Sequence, residues 1–129
     1  MTPPTNKQTR CLNANVLLVA IANHGRHFFR HRDSVSSFSI DARGRIWFHD
    51  TGSDTRIYVS DTTGAWHGFS EGGTLRDLCR DLVKHIQHDH KLHNLGPWPN
   101  WLCNGDLWGY GDEMETIRAI ATTLHITGV

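Results

Sequence analysis

Long apolar stretches are missing from this chain. Its longest uninterrupted run, residues 16–22, has seven residues, where a membrane-spanning helix takes about 20, so no membrane partner is expected. Cysteine is scarce too. Cys11, Cys79 and Cys103 are odd in number, far apart and form no C-x-x-C pair, which speaks against a disulfide framework and for reduced thiols in a cytoplasm. A secretory leader is not expected, because Met1-Thr-Pro-Pro-Thr-Asn-Lys7 is polar. The apolar run is followed by Asn23-His24-Gly25-Arg26 rather than by a small-residue cleavage site. Charge of one sign is lacking as well, with a formal net charge of zero. It is unevenly spread: eight Lys/Arg against four acids over residues 1–56, and five against nine over residues 57–129, a +4 half and a −4 half. Such halves can steer partners but are too weak to mark a nucleic-acid binder by bulk charge, or a DNA mimic.

With 129 residues, 38% of them hydrophobic, the chain has the size of one domain, and its apolar residues fall in periodic blocks that a disordered chain lacks. The expected organisation is a flexible N-terminal tail over residues 1–12, polar with paired prolines, and a single α+β domain over residues 13–129. Asn13 or Asn15 can cap a helix through the apolar run, and Asn23 with Gly25 can stop it. A buried strand is the rival reading, since Val and Ile are common there, and the helix is preferred.

Residues 38–40, 45–49, 56–60 and 65–69 are short aromatic and β-branched runs parted by Asp/Gly/Thr clusters. That is the pattern of an antiparallel meander, with residues 27–31 as a further candidate strand. Alternation puts Phe38, Ile40, Ile46, Phe48, Ile57 and Val59 on one apolar face, and Arg45, Trp47, His49, Arg56 and Tyr58 on the other. Helices supply the cover for the apolar face. One follows Thr74, its expected N-cap, with Leu75, Leu78, Cys79, Leu82 and Ile86 in a single stripe. Another follows Asp112, paired with Glu115 in a capping-box-like arrangement and striped by Met114, Ile117, Ala121 and Leu124. The expected fold is therefore α+β, an antiparallel meander of four to five strands packed by two to three helices. Residues 95–111, dense in Gly, Pro and Trp, read as an aromatic loop. There is no internal repeat.

One block runs Phe38-Ser-Ile-Asp-Ala-Arg-Gly-Arg-Ile-Trp-Phe-His-Asp50, then Arg56-Ile-Tyr-Val59 and Trp66-His-Gly-Phe-Ser-Glu-Gly-Gly-Thr-Leu75. With Trp108-Gly-Tyr-Gly-Asp112 it resembles a group of small accessory proteins carried by phages and prophages of proteobacteria. The resemblance spans about residues 25–124. It brings no settled activity and no site residues. It implies a mobile-element origin and, by analogy with small phage proteins of this size, an inhibitor of host defence such as an anti-CRISPR protein.

Three groups of side chains are candidates for function. Ten histidines are present, densest over residues 84–93, where His85, His88, His90 and His93 could share a Zn²⁺ or Ni²⁺ ion. Neither an H-E-x-x-H motif nor a Cys/His finger spacing accompanies them, and the simpler reading is a solvated helix end whose histidines complement the negative dipole. Zinc is thus the one cofactor the composition offers, and none is expected. Arg43, Arg45 and Arg56 with Trp47 and Tyr58 could meet phosphates and stack bases of a single strand. The preferred reading instead covers Trp47 and Tyr58 with the N-terminal helix or the aromatic loop. Trp98 and Trp101, with Trp108 and Tyr110, sit in a Pro-stiffened segment and are either anchors for a protein partner or a satellite cluster beneath the loop.

Signs of catalysis are thin. His24, His27 and His31 lie near arginines and serines, but no serine stands in a G-x-S-x-G elbow. Gly72-Gly73-Thr74 lacks the lysine and spacing of a phosphate loop. The expectation is a non-catalytic phage accessory protein that binds and inhibits a host defence protein complex. A nucleic-acid-binding module is the alternative, and a His-rich metal-dependent enzyme comes third.

Overall fold

Asn6 opens the first helix, its side-chain Oδ1 accepting the Thr9 N–H at 2.7 Å. The structure, a computed structural model, describes residues 6–59, 73–88 and 111–126. Helix α1 spans Lys7–Ala22 and stops at Asn23, whose N–H reaches the Val19 and Ala20 carbonyls at 3.0 and 3.2 Å, with Gly25 beyond it at φ 54°. The apolar run is helical. Its start, however, corrects the expected tail where it covers residues 7–12, and the expected caps Asn13 and Asn15; residues 1–5 lie outside the described residues. The polar turn around Arg10 is held by a tertiary contact. Arg10 is buried, and its Nε donates to the His85 and Ile86 carbonyls at 3.0 and 2.9 Å. Those carbonyls belong to the last described turn of helix α2 (Gly73–His88). A guanidinium there satisfies them and complements the helix dipole.

After α1 the chain forms a short antiparallel ribbon, β1 (Arg30–His31) and β2 (Ser34–Val35), closed at Arg32 with φ 56°. Phe29 just before it also takes a positive φ, 67°, which sends its ring fully into the core. The main sheet is a three-stranded antiparallel meander in the order β3 (Ser37–Ile40), β4 (Ile46–Asp50), β5 (Thr55–Tyr58). Register places Phe38 opposite Phe48, and Phe48 opposite Ile57. Phe38, Ile46, Phe48, Ile57 and Val59 are buried, so the apolar face is the one alternation assigns. Phe48 lies at its centre, 5.2 Å from the Phe38 ring and 6.4 Å from Phe29 in edge contact. The five strands among the described residues thus divide between two sheets. The further run at residues 65–69 lies outside the described residues.

Helices cover this face, giving an α+β fold. α1 packs on β3 and touches both α2 and α3 (Glu113–Thr123). Leu17, Leu18, Ile21, Leu75, Leu78, Leu82, Ile86, Met114 and Ile117 complete one core with the sheet. Two caps differ from expectation. α2 begins at Gly73, ahead of Thr74, so Thr74 is inside the helix. Asp112 caps α3 in a helical backbone conformation without a side-chain bond, so no capping box with Glu115 forms. Instead Glu113 turns outward, accepting the Gly25 N–H at 3.0 Å and pairing with His24 Nδ1 at 3.1 Å. Among the described residues, no helix is long and apolar enough to cross a membrane.

The free edge of β3 is closed by a side chain. Asn15 accepts the Phe38 N–H at 2.6 Å on Oδ1 and donates from Nδ2 to the Phe38 carbonyl at 3.0 Å. An amide pairs with a peptide group as a neighbouring strand would, which blunts the edge.

Candidate functional site

The outer face of β3–β5 is built around Asp41, at the start of the β3–β4 turn. Its Oδ1 accepts the Arg43 and Arg45 N–H groups, both at 2.9 Å. Its Oδ2 accepts Arg45 Nε at 2.8 Å and the Trp47 indole N–H at 3.0 Å. Gly44 closes the turn at φ 79°, a conformation that favours glycine. The Trp47 indole donor, followed by the Arg45 and Arg43 groups, holds the Asp41 carboxyl well below the usual carboxylate range. It therefore stays charged and locks the tryptophan ring.

Trp47 is the hub. Directly across the strands stands Tyr58, ring to ring at 5.4 Å and tilted. The Arg56 guanidinium lies over the indole at 4.8 Å, and that of Arg45 at 5.9 Å. His49, next on the same face, pairs with Asp54 at 3.0 Å. Tyr58 is 51% exposed and Trp47 half-buried, while α1 packs on the opposite side of the sheet. Of the two covers expected for Trp47 and Tyr58, the N-terminal helix packs instead on Phe38 and the core, while the aromatic loop, apart from Gly111, lies outside the described residues.

Arg45, Trp47, Arg56 and Tyr58 are thus brought to one surface, and Arg43 is exposed in the turn at its end. Asp41 was legible in the sequence only as a turn residue. That it ties down Trp47 could have been found from the strand alternation, which points both side chains the same way. Of the histidine group, two members are described. His85 is buried on α2 and His88 is exposed, while His90 and His93 lie outside the described residues. Among the described residues, no three His, Cys, Asp or Glu side chains come together in a metal-holding group. Trp98, Trp101, Trp108 and Tyr110 also lie outside the described residues.

No curated protein and no solved structure matches the chain. A family model described as YoqU matches residues 5–125, nearly its whole length. The name resembles that of a gene in a Bacillus phage region and points to a small phage-associated protein. On that match, the chain belongs to the YoqU family.

Proposed function

We propose that the protein is a non-catalytic binding protein of a phage or related mobile element, and that it docks on a protein partner through the outer sheet face. The observation that carries the reading is the exposed Trp47–Tyr58–Arg56 cluster. Trp, Tyr and Arg dominate interface hot spots, and rigid rings bind at low entropic cost. Here the hub ring is locked before any partner arrives. A bacterial defence complex, in the manner of an anti-CRISPR protein, is the partner class this reading names, and a proteobacterial prophage setting belongs to the same proposal. His49 and Asp54 do not argue for catalysis, because Asp54 is 91% exposed in its side chain and water screens the pair.

Single-stranded nucleic acid is the second reading, favoured by the three arginines. Two features weigh against it. Trp47 already carries Arg56 on its ring, which leaves Tyr58 as the open stacking platform where single-strand binders use several. The face also holds Asp41 and Asp54, so three arginines against two aspartates leave +1. The test is capture of a partner from host lysate by wild type, by a Tyr58→Ala/Arg56→Glu variant, and by a Trp98→Ala/Trp101→Ala variant. Loss of capture in the first variant, with an unchanged melting temperature, is expected. Unchanged capture there would move the interface to the tryptophan segment. Tight single-strand binding that falls steeply with salt would establish the second reading instead.

A further inference from the structure

The main sheet closes one of its edges and leaves the other open. Along an antiparallel pair, residues alternate between bonding across the pair and pointing their peptide groups away from it. The Val59 N–H bonds to the Ile46 carbonyl at 3.2 Å, and Phe48 stands opposite Ile57 in the same register. Ile57 therefore bonds to β4, while Arg56 and Tyr58 point N–H and C=O off the sheet. The same count on β3 starts from the Asp41 N–H, which bonds to the Arg45 carbonyl, and turns the Phe38 peptide groups outward. There the Asn15 amide meets them. Among the described residues, β5 is an edge strand with no such cover. Its run Thr55–Tyr58 contains no proline, and a row of unpaired peptide groups is a template for another strand.

We propose that an extended acidic segment of the protein partner adds to β5 as a further strand of this sheet, with a carboxylate facing Arg56. The inference rests on the outer face being the interface, and it names how the partner binds there. Arg56 and Tyr58, whose peptide groups point off the edge, are also exposed on the outer face beside Trp47. One partner strand thus meets their backbones and their side chains together, the backbone bonds giving affinity and alternate side chains giving selectivity. Charge decides the partner's chemistry. The Arg56 guanidinium lies over the Trp47 ring, and the two aspartates of this face are engaged elsewhere, Asp41 by Arg45 and Trp47, Asp54 by His49. Stacking on a ring leaves the in-plane fork of a guanidinium to a carboxylate. A second copy of β5 fits worse, because it would bring two Arg56 side chains onto one short ribbon, and like charges facing each other across strands destabilise it.

The test is amide hydrogen exchange on the full chain, followed residue by residue by NMR, with and without the synthetic peptide acetyl-Thr-Glu-Val-Glu-Val-Thr-amide. In the free protein the Arg56 and Tyr58 amides should exchange fast and the Ile57 amide slowly, as the alternation requires. The peptide should slow Arg56 and Tyr58 by about tenfold once roughly nine-tenths of the chain is bound, since exchange then runs through the unbound tenth. The same peptide with Lys in place of Glu should leave them unchanged, and Arg56→Glu should reverse that preference. Slow exchange of Arg56 and Tyr58 in the free protein would overturn the proposal, because the edge is then already filled, by residues 65–69 of the chain or by a second copy. Equal binding of the two peptides would overturn it as well. Lysate capture that depends on Tyr58 and Arg56, with a peptide that protects neither amide, would retain the outer face as the interface and remove the added strand.

Discussion

Asn15 offers the sharpest test of how the fold is held, because one side chain serves both polar groups of a single edge-strand residue. Asn15→Ala deletes the 2.6 Å bond from the Phe38 N–H and the 3.0 Å bond to the Phe38 carbonyl. Each such bond contributes about 0.5–1.5 kcal/mol, and a peptide group left half-buried without a partner costs about 1–3 kcal/mol. Alanine's better helix propensity offsets about 0.6 kcal/mol of the loss. The net expectation is a destabilisation of about 1.5–2.5 kcal/mol, or a fall in Tm of about 5–10 °C for a chain of this length. Urea unfolding with an unchanged slope is the assay. Asn15→Asp is the diagnostic partner. A carboxylate keeps the acceptor but loses the donor and faces a carbonyl, so the variant should be at least as unstable at neutral pH. It should recover as the pH falls and the acid gains a proton to donate. If Asn15→Ala leaves the urea midpoint in place, the side chain does not close the strand edge and the placement of α1 on β3 needs another cause.

Phe48→Ala should cost about 3–5 kcal/mol, toward the upper end because it removes ring contacts to both Phe29 and Phe38 as well as fully buried area. Leu82→Ala, from the helix side of the same core, should cost about 2–5 kcal/mol in the same urea assay. Asp81 is buried on α2, and its Oδ2 has no hydrogen-bond partner among the described residues. Burial, with Asp77 adding and Lys84 and Arg80 opposing, pushes its carboxyl up to about 7. An acid that holds its proton longer folded than unfolded loses stability as pH rises, here from the ordinary aspartate value of about 4 up to about 7. Asp81→Asn should therefore raise the urea midpoint at pH 8 and leave it unchanged near pH 4; an equal effect at both would refute the assignment.

Local pattern was sufficient wherever neighbours in sequence supply the physics. The period-2 runs around Phe38, Ile46, Phe48 and Ile57 and the turn at Asp41 and Gly44 determined the meander and its buried face. The i, i+3, i+4 stripe from Leu75 to Ile86 determined the helix that covers it, and Arg45, Trp47, Arg56 and Tyr58 were legible as one face for the same reason. Tertiary structure decided the rest. α1 begins at Lys7, where Asn6 caps it and Arg10 reaches the His85 and Ile86 carbonyls on α2, a contact across the chain that a polar segment does not announce. Phe29 accepts a positive φ because its ring gains the Phe48 edge, and Asn15 acts as a strand neighbour, not a cap, because β3 passes beside it. Whether Trp47 and Tyr58 face α1 or water is equally invisible to alternation. A strand's period of two separates the faces of a sheet, and only packing chooses which one the helices take.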